Sequence, residues 1–454
     1  MLMVAGVVLL IELLFLGTMA LLFAHFGSSL AVGVLNQDFM LVVKSLLTDG
    51  HFRVYGFTIP ETTLVPVYPY FVAGLFALTH SSYAALLLLL TFFISATAVL
   101  IYGIGRGLSL PRGYAAAAGV LFGLSPAVLW LPSSGLGGDV LFTFFIALSA
   151  YLIVHLHSRK NILMHVLLIA IVLGFVTLTR PVGLYLSLIM LASTPFFIGE
   201  RLPPVRQILK WWIIGGLTFF VVLCPWLMRN YVVAEHFSLS SMYAFDPFYY
   251  NIPQFLAYHN KTSEQTERQK LLDWVGNPEY HALTTFAYAD KLRAFDLQFL
   301  KTNLISYGKF HVIKMLPFFV GSGINVIYAT MAEHLPAVPD VPFLPRVDQN
   351  TASLFYGGNF GAVAHNLLQY WPSTVERIVW LLLFILDCAA PFFARGRTRI
   401  FFIVGLALIL TAAVFASPLS QPRYRVPVEP FIWSAALFTL YSLWTKYRWR
   451  KPVL

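Results

Sequence analysis

Two arginines stand two residues apart in SQPRYRVPVEPF, at Arg423 and Arg425, with Pro422 and Pro427 stiffening the stretch and Glu429 following. In an extended segment residues i and i+2 point to the same side, so both guanidinium groups are predicted to meet one anion. Guanidinium forks match phosphate oxygens in geometry and charge. The plainer alternative is a pair of arginines snorkelling to any anionic headgroup. Two carboxylates supply the complementary chemistry. Asp38, in LNQDFMLVVK, reads either as a general base or as a solvated or helix-capping acid. Asp139, in LPSSGLGGDVLF, reads as a second site acid or as an N-terminal cap, because Gly-Gly-Asp before an apolar run sets a carboxylate against the positive end of a helix. Arg180 in TLTRPVG and Arg229 in PWLMRNY are placed at helix ends, where snorkelling would account for each alone. Lys44, Arg53 and Glu61 join the same polar set; Glu61 and His51 lack the tight spacing of metal ligands.

The elements that must position these residues are membrane helices. The chain is 58% hydrophobic and 11% charged, against roughly 25% charged in soluble domains. A helix needs about 20 apolar residues to cross the hydrocarbon. On that ruler about ten spans are predicted, near 2–25, 83–104, 113–131, 137–156, 162–179, 181–199, 211–228, 375–394, 399–416 and 427–445. Basic residues set the expected orientation. Clusters at Arg106/Arg112, Arg159/Lys160, Arg201/Arg206/Lys210, Arg395/Arg397/Arg399 and Lys446/Arg448/Arg450/Lys451 fall on one face and hold 14 of the 30 Lys and Arg residues. Both termini are therefore expected in the cytoplasm.

That topology places the long loops 26–82 and 229–374 outside. Residues 1–228 read as an N-terminal module with the catalytic first loop, 229–374 as a loop subdomain, and 375–454 as a three-span module with the motif at 422–430. PVYPYFVAGLFALTH, from 66 to 80, is too short to span and is expected at the interface or slantwise against the spans. FHVIKMLPFFVGSGINVIYAT, from 310 to 330, is expected to be re-entrant or interfacial, turning at Gly321-Ser322-Gly323. Glu12 and Asp387, inside spans, are expected to be hydrogen-bonded between helices. The two cysteines support neither a disulfide framework nor a thiolate metal site. The net charge of +10 is accounted for by the membrane, and no basic stretch is organised for nucleic acid.

The succession of short motifs resembles the GT-C superfamily of membrane glycosyltransferases, closest to protein O-mannosyltransferases and the lipid A aminoarabinose transferase with their bacterial relatives. The likeness is carried by NQDFMLVVKSLLTDGHF with PVYPYFVA, by GGDVLF, by PWLMRNY and by PRYRVPVEPF, with TRPVGLYL as a weaker echo. It implies an all-α polytopic bundle with long extracytoplasmic loops in a bacterial inner membrane, the site facing outward. It also implies transfer of one sugar from a polyprenyl-phosphate donor to an extracytoplasmic lipid, glycan or protein acceptor, with inversion. Asp38 and Asp139 would be the catalytic acids, and Lys44, Arg423 and Arg425 would hold the lipid phosphate. Arg53, Glu61, Tyr68, Arg180, Arg229 and Glu429 would line the substrates. A divalent metal ion is compatible with this chemistry and no other cofactor is implied. Tyr68, Tyr70, Trp130, Tyr243 and Tyr249 are rings that would stack on a sugar or simply belong to an interfacial belt. The competing class is a transporter or lipid flippase, whose site would lie at mid-membrane rather than at the helix ends.

Overall fold

A computed structural model describes residues 1–25, 38–134, 137–158, 160–199, 203–334, 359–419 and 421–448. Helix is the only extended secondary structure among the described residues. Helices α1 (Leu2–His25), α2 (Asp38–Thr48), α3 (Val67–Thr79), α4 (Tyr83–Gly107) and α5 (Arg112–Gly123) come first. Helices α6 (Gly137–Val154), α7 (Ile162–Thr179), α8 (Gly183–Ser193) and α9 (Val205–Ala234) follow. Short α10 (Met242–Asp246) and α11 (Tyr280–Leu283) precede the long α12 (Phe286–Lys314), then α13 (Leu316–Val320) and α14 (Gly323–His334). The chain closes on α15 (Trp371–Phe393), α16 (Gly396–Ala416) and α17 (Glu429–Arg448).

Seven stretches among the described residues are long and apolar enough to cross a membrane: α1, α4, α6, α7, α9, α16 and Pro422–Lys446. The molecule is an all-α polytopic membrane protein. The remaining three of the expected spans differ for local reasons. The stretch 113–131 breaks after Gly123, where Ser125 is extended before Pro126; proline disfavours the α region in the residue before it. The stretch 181–199 is an 11-residue helix ending in a 3₁₀ turn. Helix α15 is 23 residues long but carries Glu376, Arg377 and Asp387.

Lipid tails compete equally for apolar side chains, so spans adhere through close packing and small residues. Helix α5 packs on α4 and α1 in this way. A Cβ placed on Gly119 would meet Ala98 O at 2.5 Å, and one on Gly123 would meet Val8 Cγ1 at 2.6 Å. Helix α7 is capped by Asn161, which accepts from the Met164 amide, and it stops at Thr179 because Arg180 precedes Pro181 and is extended (φ −148°, ψ 135°). The termination frees the Arg180 side chain to turn toward the first residues of α6. Glu12 departs from expectation: it is fully buried, and neither carboxylate oxygen has a hydrogen-bond partner among the described residues.

Residues 244–292 build a separate apolar cluster around Phe245, Phe248, Leu283 and Phe286. From it α12 leads to the region expected to re-enter. There the helix does break at Gly321 and Ser322, but into a bend of 87° rather than a hairpin. Opposite charges satisfy the two broken ends. Arg425 Nη1 donates to the carbonyls of Phe318 (3.1 Å), Phe319 (3.4 Å) and Gly321 (3.2 Å). Glu376 accepts from Ser322 Oγ (2.6 Å) and from the Gly323 (2.9 Å) and Ile324 (3.1 Å) amides at the start of α14. A cation on C-terminal carbonyls and an anion on N-terminal amides complement both helix dipoles at one joint.

Candidate functional site

The ends of α6, α7 and α16, the residues before α17, the first loop and the 244–292 subdomain enclose a cavity of about 710 Å³. Asp139 and Arg180 form its membrane-side polar centre. Asp139 is the third residue of α6, and its carboxylate does not cap that helix: Oδ1 accepts from Arg180 Nε at 2.6 Å, while Oδ2 is buried with no hydrogen-bond partner among the described residues. Gly137 lets the first loop approach, because a Cβ there would lie 2.2 Å from Tyr68 Oη. Tyr68 is buried, its hydroxyl has no partner among the described residues, and its ring lies 5.0 Å from that of Phe39. Burial, and then the charge of Asp139, push the Tyr68 phenol well above its usual range.

Glu61 is buried in the same wall and stabilises its own turn, with Oε1 accepting from the Thr63 amide and hydroxyl and from the Leu64 amide. Arg229, expected as a substrate contact, instead straps the first loop to α9. Its Nη1 donates to Glu61 O (2.8 Å) and its Nη2 to Phe52 O (2.9 Å), and the guanidinium lies 4.8 Å from the Trp226 ring centroid.

The arginine motif departs from the expected geometry. Residues 422–424 and 426–428 are 3₁₀ turns, not an extended strand, so the two side chains diverge. Arg423 lines the cavity; its Nη2 donates to Tyr424 Oη at 3.0 Å, and its Nε has no hydrogen-bond partner among the described residues. Its charge lies within electrostatic reach of Asp139. Arg425 is 0% exposed, lies 3.5 Å from the Trp380 ring centroid and bridges to the joint at residues 318–321. Glu429 is likewise 0% exposed, 3.6 Å from Arg425 Nε, and accepts from Ser125 Oγ and Trp433 Nε1 at 3.3 Å each. Arg425 and Glu429 belong to the packing behind the cavity, not to its lining.

Lys44 is exposed, with Nζ 3.9 Å from the Tyr55 ring centroid, and Arg53 pairs with Asp49; neither lines the cavity. The Arg53 hydrogen bond, and then the His51 amide, hold the Asp49 carboxyl down to about 2. Asp38 opens α2 and its side chain lies outside the described residues, while Phe39 beside it is in the cavity wall. The cavity thus gathers Glu61, Tyr68, Asp139, Arg180 and Arg423 from distant parts of the sequence.

The opposite wall was not anticipated. Asp246, at the end of α10, lines the cavity with Tyr250, Asn251, Tyr280, His281 and Thr284. Burial pushes the Asp246 carboxyl up to about 7. The sequence signal was a lone acid in an aromatic run, SMYAFDPFYYN, with no basic residue near enough to pair with it. Thr62 and Ser241 hydroxyls, 3.1 Å apart, and the Ser240 hydroxyl bonded to Thr63 O at 2.6 Å sew this wall to the first loop. Among the described residues no three His, Cys, Asp or Glu side chains converge as metal ligands. No protein-family model matches the chain, and no curated protein matches it in sequence.

Proposed function

We propose that the protein transfers a single sugar from a polyprenyl-phosphate donor to an acceptor on the extracytoplasmic side of a bacterial inner membrane. Both termini are assigned to the cytoplasm on the distribution of basic residues. The observation that carries this reading is one cavity at the helix ends lined by the Arg423 guanidinium together with the carboxyls of Asp139 and Asp246. Displacement of polyprenyl phosphate builds negative charge on the leaving oxygen, and the attacking hydroxyl must lose a proton. A cation on one side and carboxyls on the others meet those two needs. Phe142, Leu186 and Phe415 give the cavity an apolar flank toward the spans, where an isoprenoid tail would leave for the bilayer.

A transporter would need its polar site near mid-span. Here Asp139 stands in the first turn of its helix and Arg180 directly follows the last residue of its own. The test is incubation of the purified protein in lipid nanodiscs with a panel of polyprenyl-phosphoryl sugars and cell-envelope extract. Release of polyprenyl phosphate with label moving to an acceptor is expected. Absence of release from every donor, with the protein folded, would remove the reading.

A further inference from the structure

The chemistry proposed above requires one cavity carboxyl that is free to take a proton. Three carboxyl side chains line the cavity among the described residues: Glu61, Asp139 and Asp246. Glu61 is turned onto its own backbone through Oε1, and Asp139 is held by Arg180 through Oδ1 with Oδ2 sealed off. Asp246 makes no hydrogen bond or ion pair among the described residues. It stands at the start of a π-helical turn, Pro247–Asn251, in the part of the cavity lining contributed by the 244–292 subdomain. That placement is rigid. Phe245 packs against Tyr249 at 5.0 Å and against Tyr280 at 5.6 Å, fixing α10 against α11.

We propose, resting on the sugar-transfer reading, that Asp246 is a catalytic residue: the base that accepts the proton of the acceptor hydroxyl. The acceptor oxygen bonds to the anomeric carbon, the bond from that carbon to the phosphate oxygen breaks, and its electron pair leaves on polyprenyl phosphate. The hydroxyl proton passes to the Asp246 carboxylate and from there to water, so charge and atoms balance without a co-reactant. The subdomain wall therefore presents the acceptor, and Arg423 retains the phosphate on the opposite wall. The titratable and charged groups sharing the cavity with Asp246 are Tyr250, Tyr280 and His281 on its own wall, and Glu61, Tyr68, Asp139, Arg180, Arg423 and Tyr424 across from it. Burial holds the Asp246 carboxyl near neutrality, where a base is most effective.

The experiment uses the full chain in nanodiscs with the same donor panel and with sugar-free polyprenyl phosphate as the binding probe. Asp246→Asn is expected to lower turnover by about 100-fold or more, the usual contribution of a positioned base. Binding of sugar-free polyprenyl phosphate should stay within about threefold, since that probe engages the phosphate wall alone. Wild-type turnover should rise with pH along an acidic limb that Asp246→Glu displaces. Retention of more than about a tenth of wild-type turnover by Asp246→Asn overturns the assignment. So does loss of the acidic limb in Asp38→Asn while Asp246→Asn retains it. If Asp246→Asn does not fold, the wild-type profile decides, and a flat profile from about pH 5 to 9 overturns the proposal. A wild-type protein inactive on every donor would instead strike the sugar-transfer reading itself.

Discussion

Arg423 and Arg425 are two residues apart, yet their replacement by alanine should have opposite consequences. Arg425 is 0% exposed, donates from Nη1 to three carbonyls, stacks on Trp380 and lies 3.6 Å from Glu429. Removing one partner of a buried charge cluster costs about 3–5 kcal/mol, because the carboxylates left behind are desolvated without compensation. Loss of the hydrogen bonds and the cation–π contact falls within that sum rather than adding to it, since all act through one guanidinium. With an unfolding entropy near 2 cal/mol/K per residue, about 1 kcal/mol corresponds to about 1 °C for a chain of this length. Arg425→Ala should therefore lower the thermal midpoint in detergent by about 3–5 °C, followed by tryptophan fluorescence. Among the described residues the Arg423 side chain makes one hydrogen bond, to its neighbour Tyr424, and its Nε has no partner. Arg423→Ala should leave the midpoint within about 1 °C and weaken binding of polyprenyl phosphate by about 10- to 100-fold, the value of one or two charge-assisted hydrogen bonds. A wild-type midpoint in Arg425→Ala together with lost lipid binding would refute the division of labour.

Further consequences follow from the same geometry. The Asp246 carboxyl is raised from 3.8 to about 7 in the folded protein, so the fold binds its proton more tightly than the unfolded chain does. Its stabilising contribution is complete below the lower value and is lost as pH rises through the upper one. Denaturant unfolding should show that loss in the wild type and not in Asp246→Asn, and equal pH dependence in the two would count against a raised Asp246 carboxyl. Glu376→Ala should cost about 3 kcal/mol by orphaning the amides that open α14, with faster hydrogen exchange at residues 323–324 as the local signature. Gly137→Ala should destabilise by about 1–3 kcal/mol, because the added methyl meets Tyr68 Oη. Tyr68→Phe in the same chain should restore part of that loss, and a strictly additive double mutant would place the strain elsewhere.

Much of the architecture was legible because a bilayer imposes a coarse requirement, about 20 apolar residues per crossing, that composition alone reveals. The stretches read as spans 2–25, 83–104 and 399–416 correspond to α1, α4 and α16 within a few residues. The broken stretches at 113–131 and 181–199 were harder, since Pro126 and the 3₁₀ turn at Thr194–Phe197 interrupt helices whose hydropathy is continuous. At the site, Asp139, Arg180 and Arg423 could be singled out as charges at span edges. Asp246 could not, because nothing in the sequence shows that an acid in a long loop lines a cavity until its neighbours are known.

The sequence by itself determined that this chain lies in a membrane as a bundle of helices, with most charged residues near helix ends or in loops, because desolvating a charge in hydrocarbon is costly; Glu12 and Asp387, inside helices, are the exceptions. Only the tertiary structure decided which charges share a cavity. Two 3₁₀ turns rotate Arg423 into that space and Arg425 away from it, and the packing of residues 244–292 over the first loop carries Asp246 to the wall opposite. Side-chain direction depends on local backbone twist and burial on distant neighbours, and neither is fixed by residue spacing along the chain.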